Sequence, residues 1–366
     1  MKVLVAPDKF KGSLTAGEVA SAVASGLADV HPGLVVRELP VADGGDGTVD
    51  AAVAAGFRRV RVPARGPTGG PVTASYAVRG DTAVVELAEA SGLHRLPGPP
   101  EPLTATSAGT GDVIAAAVRA GCRRIVLGVG GSACTDGGAG LLAALGARLL
   151  DDTGRELPFG GAALSRLASL DLAGLSKVDI ELASDVDNPL YGPGGAAVVY
   201  GPQKGATPAD VETLDAALRH WASIAGPEFA SRPGAGAAGG VGFAAMAVLG
   251  ARMRPGIELL LELLGFDTAL TGTSLVITGE GSLDEQTLSG KAPAGVAAAA
   301  AARGIPCLAV SGRCLLTAGQ LAGAGISAAY ALTDLEPDPA RCMAEAAPLL
   351  RRLARRVALD YFSLSR

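Results

Sequence analysis

Short apolar runs, each stopping at a loop rich in Gly, Asp and Ser and followed by a stretch of helical periodicity, constrain this fold most. A strand covered on both faces reads as a continuous apolar run, the habit of parallel sheets. KVLVA (2–6) fits, and LVVREL (34–39), IVLGV (125–129), DIELA (179–183), SLVIT (274–278), PCLAV (306–310) and 327–331 read as further strands. Helical patterns fall over 15–28, 48–55, 111–120, 139–150, 208–224, 243–252, 256–264, 292–303, 316–322 and 338–360. Thr15 and Glu18 make a capping box for the first of these. VTASYAV (72–78) and TAVVELA (82–88), joined by Arg79-Gly80-Asp81, read instead as an antiparallel hairpin. The expected class is α/β: a doubly wound domain from both chain ends (1–70 and 288–366), with a second α/β domain of different topology (71–287) inserted between them.

Composition narrows the function. A chain of 366 residues, 49% of them hydrophobic, is long enough for two domains with substantial cores. A net charge of −5 is no footprint for nucleic acid or an anionic membrane surface. The N-terminal apolar run ends at Pro7-Asp8, too short for a signal peptide, and the uncharged stretch 233–251 is too rich in Gly and Ala to favour insertion. Five Cys without a C-x-x-C pair suit reduced thiols in a cytoplasmic protein. Six Lys stand among 31 basic residues, and four of them (Lys9, Lys11, Lys204, Lys291) lie in Gly-bearing loops, where a compact ammonium is useful.

The loops after the strands carry the chemistry, because ligands of open α/β sheets bind beyond the carboxyl ends of strands. APDKFKGSLTA (6–16) sets Asp8, Lys9, Lys11 and Ser13 before a helix, a place that favours an anion. ADGGDGT (42–48) spaces Asp43 and Asp46 with glycines, suiting Mg²⁺ or proton abstraction from a hydroxyl. TSAGTGDV (106–113), with Ser107, Gly109, Thr110 and Gly111, has the small hydroxyls and glycines that phosphate oxygens call for. GVGGSACTDGGAG (128–140) offers Gly131, Ser132, Thr135 and Asp136. SDVDNPL (184–190) offers Asp185, Asp187 and Asn188, and TGEGSLDEQTLSGK (278–291) offers Glu280, Asp284, Gln286 and Lys291. Abundant Asp and Gly with few His fit phosphoryl transfer, which needs Mg²⁺, donors to phosphate oxygens and a base for the acceptor hydroxyl.

Competing motifs fail. Gly290-Lys291 has Glu285 where a Walker A needs its first Gly. Gly234, Gly236 and Gly239 spell G-x-G-x-x-G but follow Arg-Pro rather than a strand, which disfavours a dehydrogenase. There is no G-x-S-x-G elbow, and the three His spell no zinc motif.

Taken together, APDKFKGSLTA, ADGGDGT, TSAGTGD, GGSACTDGGAG, SDVDNPLYGP, GPQKGA and GEGSLDEQTLSGK resemble the ordered motifs of the bacterial type I glycerate kinases, over about residues 1–330. The resemblance implies a flavodoxin-like domain from both termini and an inserted domain of mixed sheet. It further implies ATP-dependent phosphorylation of D-glycerate, commonly at the 2-hydroxyl. Two departures stand out: Cys134-Thr135-Asp136 where the family usually has Thr-Asn-Asp, and Lys9 where Ser is often found. On this reading Asp46 or Asp187 takes the hydroxyl proton. The substrate carboxylate goes to Lys9, Lys11 or Arg65, with Lys11 favoured and with Ser13 and Asp43 in the same pocket. Ser107, Gly109, Thr110, Gly111, Gly131, Ser132, Asp136, Glu280 and Lys291 serve ATP. Mg²⁺ falls to Asp185, Asp187 and Asp284, or to Asp43. A kinase for another small hydroxy acid and a non-catalytic ligand-binding homologue are the alternatives, and a homo-oligomer is left open.

Overall fold

The computed structural model describes residues 1–363, the side chains of Ser289 and Ser363 aside; residues 364–366 of the expected C-terminal part lie outside the described residues. In chain order the strands are β1 Lys2–Val5, β2 Val35–Glu38, β3 Arg58–Arg65, β4 Pro71–Arg79, β5 Thr82–Glu86, β6 Arg124–Gly128, β7 Arg148–Leu150, β8 Ser169–Asp171, β9 Asp179–Ala183, β10 Arg252–Arg254, β11 Leu275–Leu283, β12 Cys307–Cys314 and β13 Ala328–Ala331. Two compact units emerge, one of residues 1–43, 50–56 and 257–366, the other of 44–49 and 57–256. The sequence reading drew its boundaries at 70/71 and 287/288. β3 groups with the second unit because it pairs along its length with β4, and β11 groups with the first because it lies between β1 and β12.

The first unit is built on a sheet in the order β13-β12-β11-β1-β2, with every pairing parallel. Alternate residues on the strands face opposite sides, yet Val3, Leu4 and Val5 all have no exposed surface, so both faces are covered. On one face Val3, Val5, Ile277 and Val310 pack with Val19, Val23 and Leu27 of helix Ala16–Val30 and with Leu350, Leu353 and Val357 of helix Ala346–Ser363. Gly26 permits that helix pair, since a Cβ there would lie 2.3 Å from the Arg351 carbonyl oxygen. The capping box read from Thr15 and Glu18 forms.

The second unit has a mixed sheet in the order β10-β9-β6-β5-β4-β3, parallel from β10 to β5 and antiparallel from β5 to β3. The hairpin expected at 72–88 is β4–β5, and β3 was not expected. The helix anticipated over 139–150 stops at Ala144, and Arg148–Leu150 becomes β7, paired with β8. The helix expected at 243–252 is Ala237–Ala247, opened by Ala238, Gly239 and Gly240 in left-handed backbone. The closing helix, expected as one piece, is interrupted at Glu345 into Pro339–Ala344 and Ala346–Ser363. No helix among the described residues is long and apolar enough to cross a membrane.

Candidate active site

In the first unit the carboxyl ends of β1 and β11 gather charge. The Asp8 N–H donates to the Gly279 carbonyl (2.8 Å), and the Asp8 carboxylate accepts from the Lys9 N–H (2.6 Å). Burial, helped by Asp43 and Glu280 and opposed by Lys9, pushes the Asp8 carboxyl up to about 7. Glu280 is buried on β11, takes a 2.6 Å hydrogen bond from the Thr287 hydroxyl and lies 3.6 Å from the Lys291 ammonium. Burial raises its carboxyl, with Thr287 and Lys291 pulling the other way. Lys291 also reaches Asp284 at 3.9 Å. Ser13 donates to the Phe10 carbonyl (3.1 Å), and Lys11 is exposed. The sequence motifs therefore bring Asp8, Lys9, Asp43, Glu280, Asp284 and Lys291 to one end of one sheet. Asp8 lay inside a motif but had been given no role.

In the second unit the segment 44–49 docks on the carboxyl ends of β5, β6 and β9. The Gly130 N–H donates to the Gly44 carbonyl (3.1 Å). A Cβ on Gly44 would lie 2.7 Å from the Ala183 carbonyl oxygen, and one on Gly130 would lie 2.4 Å from the Gly45 Cα, so these backbones meet only as glycines. Gly131 (φ +71°) approaches Asp46 just as closely: an added Cβ would fall 2.1 Å from its Oδ1. Asp46 and Gly131, from two separate motifs, are thereby brought together.

Glu86, at the end of β5, supports this arrangement through the backbone of the segment. It is only 4% exposed, and one carboxylate oxygen accepts from the N–H groups of Gly47 and Val49, each at 3.1 Å. Burial foremost, then Glu89 and Asp46, push the Glu86 carboxyl up to about 7 against the pull of the two N–H groups. Sequence reasoning missed it; the available signal was a carboxylate inside the apolar run TAVVELA. A folded-state value raised above the unfolded one stabilises below the unfolded pKa and loses that contribution as pH rises through 7. Glu86→Gln removes the titration, so its stability relative to wild type is expected to improve by about 2–3 kcal/mol between pH 5 and pH 8, since each tenfold change in proton affinity is worth about 1.4 kcal/mol. Urea unfolding at the two pH values measures it; parallel pH profiles for the two proteins would refute it.

The TSAGTGD and GGSACTDGG loops meet around Asp136. Its carboxylate, wholly buried, accepts from the Thr106 and Ser107 hydroxyls and from the N–H groups of Ser107, Gly138 and Gly140, at 2.8–3.2 Å. Ser107 also accepts from the Leu141 N–H, and the Thr110 hydroxyl donates to Ser91 (3.0 Å). These hydroxyls hold the loops to each other. Gly109 and Gly111 are packing glycines: a Cβ on Gly109 would fall 1.7 Å from the Arg65 carbonyl oxygen, and one on Gly111 would fall 2.6 Å from Leu141 O. Beneath them the buried Lys204 ammonium donates to the Cys134 carbonyl (2.5 Å), and burial lowers its pKa. The G-x-G-x-x-G stretch packs here too, its Gly239 so close to Cys134 O that a Cβ would come within 2.1 Å. Thr135 is wholly buried and its hydroxyl has no partner among the described residues, so it does not replace the hydrogen bonds of the amide usual there.

The remaining expected residues are dispersed. Arg65 forks onto Asp112 (2.8 and 2.6 Å) and lies over the Phe159 ring at 5.0 Å, beside a cavity of about 360 Å³ walled by Gly140, Ala143, Leu157 and Phe159. Asp185 accepts from the Gly256 N–H (2.8 Å), while Asp187 is exposed next to Asn188, which is held by Tyr200 (2.6 Å) and Gly194 (2.8 Å). No group of three or more His, Cys, Asp or Glu among the described residues is arranged as a metal cage. Mg²⁺ bound alongside a triphosphate does not need one, since one or two carboxylates, waters and phosphate oxygens suffice. The oxygen donors Asp185 and Asp187 fit that demand.

Parallel-strand ends loaded with glycine-spaced carboxylates, hydroxyls and lysines define a small-molecule kinase of α/β build. The sequence model described as the glycerate kinase family matches residues 3–361. The chain belongs to that family. It is 44% identical to the glycerate kinase of Bacillus subtilis (strain 168), over 98% of this chain and 97% of that protein. It is 42% identical to the glycerate 2-kinase of Escherichia coli (strain K12), over 91% of this chain and 90% of that one. The crystal structure from Salmonella typhimurium LT2 described under the name glycerate kinase 2 superposes with a TM-score of 0.86 at 42% identity, covering 100% of this chain and 99% of the other.

Proposed function

We propose that this protein transfers the γ-phosphoryl group of ATP to the 2-hydroxyl of D-glycerate. The observation that carries the reading is the seating of Asp46 against Gly131, which sets a carboxylate beside a glycine loop with room only for backbone. Asp46 accepts the hydroxyl proton as the oxygen attacks phosphorus, with Asp187 as the other candidate base. Lys11, an exposed ammonium, pairs with the glycerate carboxylate, with Lys9, Ser13 and Asp43 beside it; Arg65, forked onto Asp112, is the weaker choice. Gly131 and Ser132 donate to phosphate oxygens, as does Lys291, which Glu280 orients. Ser107, Gly109, Thr110, Gly111 and Asp136 act by holding that loop in place. Mg²⁺, when bound with ATP through Asp185, Asp187 or Asp284, offsets phosphate charge.

The 2-hydroxyl is favoured by the relative named glycerate 2-kinase at 42% identity. The first unit is read as doubly wound and flavodoxin-like: numbered within the unit, its strands run 2-1-3-4-5, the flavodoxin order. The second is read as an insertion into it. Five free thiols suit a cytoplasmic setting.

³¹P NMR of the products from D-glycerate, ATP and Mg²⁺ tests the reading. We expect 2-phosphoglycerate and ADP. A 3-phosphoglycerate signal would overturn the regiochemistry, and turnover of a different hydroxy acid with none of D-glycerate would overturn the substrate.

A further inference from the structure

We propose that Glu86 is a positioning residue for the phosphoryl-transfer step: its carboxylate fixes the segment 44–49 so that Asp46 meets the acceptor hydroxyl. The inference rests on the reading of Asp46 as the base, and its footing is geometric. Residues 44–49 form a six-residue excursion that belongs to the second unit, while 1–43 and 50–56 belong to the first. Gly44 is packed against Ala183, and Thr48 and Val49 are buried where helix Thr48–Ala54 begins, while Gly45, Asp46 and Gly47 between them are only partly buried. At its start the segment is held by the Gly130 N–H on the Gly44 carbonyl, and at its end by Glu86 on the N–H groups of Gly47 and Val49. Asp46 lies between those two attachments.

Glu86 is well suited to the task. It stands on β5, where Glu86 is in register with Gly128 of β6, so its Cα is anchored in the parallel part of the sheet. It is almost fully buried, which limits its rotamers, and one oxygen serves both N–H groups. Truncating it leaves two donors without an acceptor and releases the end of the segment nearest Asp46. The titratable groups that face it are Glu89 and Asp46.

Hydrogen–deuterium exchange and steady-state kinetics on Glu86→Ala and Glu86→Gln, in the full chain, test this. Gln keeps the length and one acceptor oxygen for the same two N–H groups. For Glu86→Ala we expect exchange in peptides covering 44–50 to quicken by at least tenfold, with β1 and β11 unchanged. We also expect kcat to fall at least tenfold, with KM for ATP within threefold of wild type. Glu86→Gln should restore protection of 44–50 and bring kcat to within about fivefold. Unchanged exchange at 44–50 in Glu86→Ala would overturn the proposal. So would a Glu86→Gln protein that keeps that protection yet loses activity as fully as the alanine variant, because charge rather than placement would then matter. If Glu86→Ala does not fold, Glu86→Asp takes its place, since it withdraws the acceptor by one methylene. The exchange arm stands even if D-glycerate proves not to be the substrate, so a failure of the functional reading is separable from a failure of this one.

Discussion

Asp46→Asn is expected to lower kcat for D-glycerate phosphorylation by about 10²–10⁴-fold, the usual contribution of a positioned general base. Asparagine matches aspartate in size, so the packing against Gly131 survives while the proton acceptor is lost. KM for ATP should therefore stay within a few-fold, and the loss should appear in single-turnover rates as well as in kcat. Gly131→Ala is the companion variant: its methyl group would collide with Asp46 Oδ1 at 2.1 Å and sit in left-handed backbone, so it should lose activity by displacing the same carboxylate. Asp187→Asn separates the two candidate bases. If Asp46→Asn and Asp187→Asn both turned over near the wild-type rate, neither aspartate would be the base and the proposed mechanism would fall.

The largest stability effect is expected at Asp136. Asp136→Ala strands five buried donors, two hydroxyls and three backbone N–H groups, and leaves the buried Lys204 ammonium without its nearby anion. Breaking a buried charged network by removing one partner costs about 3–5 kcal/mol. Urea unfolding should show that loss, and a change below about 1 kcal/mol would contradict it. A double-mutant cycle between Asp136→Asn and Lys204→Met should show a coupling of about 1–3 kcal/mol, because the Lys204 ammonium draws on the Asp136 charge while both are present.

These two residues mark the limit of what could be read beforehand. Asp46 and Asp136 occupy equivalent-looking Gly-Asp loops, and the sequence suggested a chemical part for both. In the fold one aspartate sits at a junction of two loops and the other is enclosed by five donors. The neighbouring residues do not distinguish them, since three of the five donors to Asp136 come from Thr106 and Ser107, some thirty residues away, and only two from Gly138 and Gly140 beside it. Glu86 is the converse case: a carboxylate in an apolar strand looked like an exception to the pattern and proves to tie down the Asp46 segment.

Secondary structure divides in the same way. β1, β6 and the first half of β12 were legible because both their faces are buried, which leaves short apolar runs. β3 was not, because it is an edge strand in which Arg61 and Pro63 separate Val60, Val62 and Ala64, with Arg58, Arg59 and Arg65 on either side. Its alternation was present in the sequence but half hidden by charge. The run GLLAALGARLL reads as one helix, yet Gly146 turns the chain at φ +104° against the Gly174 carbonyl, and the remainder pairs as β7 with β8. β11 extends past Glu280 to Leu283 because its tail pairs with Arg313 and Cys314 on β12, so Glu280 is a strand residue rather than a loop residue.

The sequence by itself determined the α/β class, the places where the chain turns, and the kinds of group set at those turns. Periodicity and turn chemistry act between near neighbours and are therefore written locally. Only the tertiary structure decided which carboxylate is enclosed, which lysine is buried and which glycine admits another backbone. Those outcomes depend on pairings between residues far apart in the chain, where burial and donor supply, rather than residue type, assign each group its role.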